Sequence, residues 1–89
     1  MKTYLVTYDL DNPGQNYSVL IKKLKSYPAW AHICASSWTI CTFDSAETVR
    51  DNLVTVLDNN DKLFVGKLSG EAAWFGLSKD VSGWLHDNL

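Results

Sequence analysis

The chain has 89 residues, a net charge of −2 and a hydrophobic fraction of 46%. A chain this short supports one core, so residues 1–89 read as a single domain with residues 70–89 as a C-terminal arm. Seven Lys and one Arg against ten acids exclude a protein held on nucleic acid by bulk charge, because neutralising phosphates needs clustered cations.

Met1 and Lys2 lead directly into a strand, so no secretory leader is expected. No apolar run approaches the roughly 18 residues of a membrane span. Cys34 and Cys41 are too few for a disulfide framework, which predicts reduced thiols and a cytoplasmic location. Four Trp and four Tyr are a large aromatic load for this length, and part of it is expected to be buried against a second copy.

The run Thr3-Tyr4-Leu5-Val6-Thr7-Tyr8-Asp9-Leu10 is β-branched and aromatic and reads as a strand. Its alternation places Tyr4, Val6 and Tyr8 on one face and Leu5, Thr7 and Asp9 on the other. Both faces are mostly apolar, which predicts a central strand covered on both sides. Asp11-Asn12-Pro13-Gly14 is turn chemistry. Asn16 is placed to cap a helix from Tyr17 to about Lys25, with Tyr17, Leu20, Ile21 and Leu24 as its stripe. Pro28 ends that segment. Residues 29–35 and 38–43 read as a hairpin around Ser36-Ser37. Ser45 caps a second helix whose stripe is Ala46, Val49, Leu53, Val56 and Leu57. Residues 62–68 form a fourth strand, and Ala72 to Leu77 a short fifth strand or extended arm. Ser78 caps a last helix with Val81, Trp84 and Leu85 inward. The order β-α-β-β-α-β predicts an α+β, ferredoxin-like fold: a four-stranded antiparallel sheet with two helices on one face. The C-terminal segment, or a partner subunit, is left to cover the other.

Asp9 is the leading candidate for chemistry. A carboxylate at a strand end suits Mg²⁺ or Mn²⁺, with water and phosphates completing the shell. It also suits a turn-capping role, and Asp11 shares both readings from a less rigid position. A Ser36-Ser37 turn would place His32, Cys34, Thr39 and Cys41 on one face, three soft ligands for zinc or a packed surface of small thiols. Trp30, Trp38, Trp74, Phe75 and Trp84 either stack bases or pack. Trp74-Phe75-Gly76-Leu77 places bulk after the fold is complete, which points to docking on a partner.

The run Tyr4 to Leu10, of form Tyr-Leu-Val-x-Tyr-Asp-Leu, resembles the opening strand of the CRISPR-associated Cas-two proteins. The Ser37-Trp38 step resembles that family's Ser before an apolar or aromatic residue, and SinR-like and VapD proteins share the design. The resemblance spans about residues 3–77. It implies a homodimer with sheets face to face, using Leu5, Thr7, Trp74 and Phe75. It also implies that Asp9 and its symmetry mate hold a divalent metal for phosphodiester cleavage. The acidic balance, without arginines near Asp9, keeps a second reading: a non-enzymatic dimeric adaptor in phage–host conflict. A nucleotide pocket at the dimer seam is a third.

Overall fold

A computed structural model describes residues 1–12 and 17–89. The predicted cap Asn16, and Pro13 and Gly14 of the first turn, lie outside the described residues. The elements run β1 (Lys2–Asp9), α1 (Ser18–Leu24), β2 (Ala29–Cys34), β3 (Ser37–Thr42), α2 (Ala46–Val54), β4 (Lys62–Lys67) and α3 (Lys79–Asn88). The Cα radius of gyration, 12.8 Å, is close to the roughly 12 Å of a packed domain this long.

Four strands form one antiparallel sheet in the order β2-β3-β1-β4. β1 is internal, as its two apolar faces predict. It pairs with β3 (Leu5 opposite Thr39, Thr7 opposite Ser37) and with β4 (Val6 opposite Val65, Asp9 opposite Lys62). Tyr4, Val6, Trp38 and Ile40 point to the face covered by α1 and α2, where they pack with Leu20, Leu24, Val49 and Leu53. Leu63 and Val65 of β4 join the same layer. α2 begins as predicted. The Ser45 hydroxyl accepts from the Thr48 amide at 3.1 Å, which satisfies one of the orphan donors of the first turn. α1 has no side-chain cap at Tyr17; its place depends on the buried pair Leu20 and Leu24.

Part of the second face, over β2, β3 and the first half of β1, is covered by the chain itself. Ser78 caps α3 by accepting from the Val81 amide at 3.2 Å. The helix then lies on the sheet with Leu85 buried. Its end is tied down: Thr3 Oγ1 donates to the Asn88 carbonyl at 2.8 Å, and the Cys41 thiol donates to Asn88 Oδ1 at 3.6 Å. The expected fifth strand is absent, for residues 68–78 run as irregular chain. Leu68 extends the β4 ladder by one bond, its amide donating to Thr3 O at 2.9 Å. Gly70 then turns the chain away at φ +101°, a conformation that suits glycine. The segment crosses the sheet face instead of following its edge.

The hairpin differs from the prediction. Its turn is Ala35-Ser36, not Ser36-Ser37, and His32 faces Trp38 while Ala31 faces Thr39. An irregularity between His32 and Cys34 absorbs the offset. The buried Trp38 and Ile40 set this register, because a slip would move them off the helix-covered face.

Two stability predictions follow from burial. Thr39 is 1% exposed, and its hydroxyl has no hydrogen-bond partner. An unpaired buried hydroxyl costs about 1–3 kcal/mol. The isosteric Thr39→Val is therefore expected to raise Tm by several degrees in calorimetry. Burial pushes the Tyr27 phenol above its ordinary value; the hydrogen bond from Asn52 opposes this and Asp44 adds to it. The unfolded chain thus loses this proton first. The stabilisation is full below about pH 10 and falls as pH rises through the folded-state value. Alkaline Tm profiles are expected to fall more steeply for the native chain than for Tyr27→Phe.

Candidate functional site around Asp9

Asp9 stands at the C-terminal end of the central strand, exposed, on the face opposite α1 and α2. Both ion pairs among the described residues belong to Arg50, so Asp9 is in neither. It lines an open groove of about 220 Å³ with Thr7, Tyr8, Lys62, Leu63 and Phe64. Antiparallel pairing sets Lys62 directly across from Asp9 and Phe64 across from Thr7. Two residues back on the same face, Thr7 Oγ1 lies 3.1 Å from Ser37 Oγ and donates to the Ser36 carbonyl at 3.3 Å. Ser37 and Asp9, far apart in sequence, therefore border one patch of sheet.

This end of the sheet is not sealed by the chain's own elements. Phe64 is 59% exposed, and its ring leans across Gly66. A Cβ at Gly66 would meet that ring at 2.6 Å, so the glycine is what lets the ring lie down on the strand. Neither Lys62 nor Phe64 carries a functional signal in the sequence. Both take their place from the β1–β4 register.

The surrounding charge is negative. Asp61 accepts from the amides of Asp11 and Asp58, each at 2.8 Å, and so ties the end of β1 to the loop before β4. The Tyr17 phenol is raised, first by desolvation and then by Asp61, Asp58 and Asp11 among its neighbours. Asp61 uses both carboxylate oxygens in these bonds, which makes it a brace for the loop. No group of three His, Cys, Asp or Glu among the described residues is arranged to hold a metal. A metal at Asp9 would therefore find at most two such ligands among the described residues, with waters, phosphate oxygens or a second subunit supplying the rest. That fits Mg²⁺, which keeps several waters and is commonly bound by one or two carboxylates.

The other candidates are placed elsewhere. The set His32, Cys34, Thr39 and Cys41 does not share a face. The His32 ring stacks on Trp38, with centroids 4.1 Å apart and planes 9° apart, on the side of α1 and α2. Cys41 is buried on the other side beside Thr3 and Asn88, while Cys34 is exposed. The register explains the separation, because His32 pairs with Trp38 rather than Cys41. Trp38 is core, and its indole donates to the Tyr8 hydroxyl at 3.1 Å. Trp74 donates to Ser82 at 3.0 Å and packs edge-on against His86. Phe75 is 99% exposed. Leu5 lies beneath the chain's own C-terminal segment with Trp74 and Leu85. Of the four residues expected at a dimer seam, only Thr7 lies beside Asp9.

No family model matches the chain, and no curated protein matches it. Among solved structures it is similar to the crystal structure of a hypothetical protein from Thermus thermophilus. The TM-score is 0.66 at 25% identity, over 85% of this chain and 92% of that one. The chain is a small α+β protein with a four-stranded antiparallel sheet, and no described helix is long and apolar enough to cross a membrane.

An exposed carboxylate outside any ion pair contributes little to the fold. Asp9→Asn is expected to leave the unfolding free energy within about 0.5 kcal/mol of the native value in urea titration.

Proposed function

We propose that the chain is a ferredoxin-like, Cas-two-like protein that acts on phosphodiesters as a homodimer, with Asp9 holding a divalent metal. The observation that carries this reading is the setting of Asp9: exposed, outside the ion pairs among the described residues, and at the end of an internal strand paired on both sides. The connections support the fold assignment. β1 and β2 run parallel with β3 between them, and β4 returns to the far side of β1. The partner is a second copy. The exposed Phe64 beside the half-buried hydroxyls of Thr7 and Ser37 is the surface that a two-fold interface would cover in this reading. Such an axis brings two Asp9 side chains toward one another.

The roles of the residues follow. Asp9 presents a hard oxygen ligand and is held in place by the ladder bonds of β1 to both neighbours. Lys62, across the ladder, is a point charge for a phosphate oxygen. Thr7 and Ser37 offer hydroxyls at the base of the patch. Mg²⁺ or Mn²⁺, when bound, polarises the phosphodiester and activates water. The acids Asp11, Asp58 and Asp61 repel a bare polyanion, so binding through a cation suits this end of the sheet.

The same acidic field supports a second reading, a dimeric adaptor without catalysis, located in the cytoplasm like the first. Cleavage assays on RNA and DNA with Mg²⁺ or Mn²⁺ separate the two. Metal-dependent cleavage that falls at least about 100-fold in Asp9→Asn supports the enzyme. Cleavage that is absent, or indifferent to that substitution, rejects it. Light scattering checks the seam independently. The native chain is expected at dimer mass and Phe64→Glu at monomer mass.

A further inference from the structure

We propose that residues 69–89 leave and rejoin the second sheet face as one unit, a strap hinged at Gly70 and latched at Asn88, while the layer under α1 and α2 stays folded. The polar contacts of this segment are mostly internal. Trp74 donates to Ser82 at 3.0 Å and packs edge-on against His86. The Asn88 side chain donates to the Trp84 carbonyl at 2.8 Å, and Ser78 caps α3. These contacts join the arch to the helix and owe nothing to the sheet.

The ties to the sheet are few. The backbone pairs with it at Leu68, and no described residue beyond that belongs to a strand. Two side-chain hydrogen bonds reach across, and both end on Asn88: one from Thr3 Oγ1 at 2.8 Å and one from the Cys41 thiol at 3.6 Å. Within residues 68–89 only Leu85 is fully buried, whereas the other layer buries Val6, Leu20, Leu24, Ile40, Val49 and Leu53. A space of about 240 Å³ remains between Leu5 and Ile33 on the sheet and Trp74 and Leu77 on the strap, so much of the dispersion contact of a packed layer is missing. An element held by so few buried contacts opens at lower free energy than the core it rests on.

Gly70 supplies the hinge. It turns at φ +101°, and a Cβ there would meet nothing within 4 Å, so no packing fixes the chain at that point. Opening uncovers Leu5, Ile33 and the Cys41 thiol, which is 4% exposed when the strap is down. Leu5 is two residues from Thr7 on the same face of β1, so the bared surface is continuous with the corner that carries Asp9. The strap thus sets how much of this face a partner reaches. Its motion does not rest on Asp9 holding a metal and stands whether or not the nuclease reading holds.

The test uses Cys41 as a reporter in the whole chain carrying Cys34→Ser, which removes the exposed thiol. Labelling by a small thiol reagent is followed against urea, beside amide hydrogen exchange in β1 and α2. Relative to the unfolded chain, Cys41 should be at least about tenfold less protected than the slowest of those amides, with a rate nearly flat at low urea, because strap opening exposes little surface. Asn88→Ala should speed labelling about tenfold through loss of the latch bonds. Leu85→Ala should speed it at least about 30-fold, since Leu85 leaves the sheet with the strap. Val49→Ala weakens the other layer and should lower the urea midpoint without changing the labelling rate in the absence of urea. Labelling that follows global unfolding, in protection and in urea slope, overturns the proposal, as does a rate that rises in Val49→Ala in step with lost global stability. A rate unmoved by Leu85→Ala means that only the last turn of α3 frays, and it also overturns the proposal.

Discussion

The structure depends on β1 being an internal strand with both faces occupied. Its backbone groups are used on both edges, by β3 and by β4. Its side chains divide by the period of two. Tyr4 and Val6 go under α1 and α2, and Leu5 goes under the C-terminal segment. A strand with that double duty cannot slip, because one residue of register would exchange the two cores. Everything with functional interest is referred to this strand: Asp9 at its end, Thr7 beside Ser37, and Thr3 as the anchor for Asn88.

The two faces are covered by different means. The first is an apolar layer of aliphatic and aromatic side chains, continuous across three strands and two helices. The second is thinner and depends on specific polar contacts. Asn88 accepts from Thr3 and Cys41 and donates to the Trp84 carbonyl, so the end of α3 is latched to β1 and β3 together. Trp74 is latched in turn to α3. Cover of this kind leaves space beneath it, which explains why an apolar crevice lies there and not in the tightly packed first layer.

Cover also ends before the sheet does. α3 and the arch lie over β2, β3 and the first half of β1, while Thr7, Asp9, Lys62 and Phe64 form the uncovered corner. Phe64 there is an exposed ring on a sheet face two residues along β4 from Lys62 and across the ladder from Thr7. This is where a second subunit and a metal would do the most for one another. In the proposed dimer the subunit would shield Phe64 and double the carboxylates, and the metal would relieve their repulsion.

Much of the scaffold was legible in the sequence, since local rules were enough. The period-two run from Tyr4 to Tyr8 marked an internal strand, the Ser45 and Ser78 caps marked helix starts, and Val49 with Leu53 marked a buried stripe. The strand-end position of Asp9 was legible for the same reason. The hairpin register was not, because Ala35, Ser36 and Ser37 are all acceptable turn residues and only burial of Trp38 and Ile40 chooses among them. That choice separated His32 from Cys41. The arch over residues 70–76 was hidden too, since Ala72 to Leu77 reads as strand by composition. Whether it pairs at an edge or crosses a face depends on Gly70, Asn88 and the space above Leu5. Local propensity and periodicity thus determined which segments are strands and helices and which end carries Asp9. Tertiary packing alone decided what faces what, because register and cover depend on contacts between residues far apart in the chain.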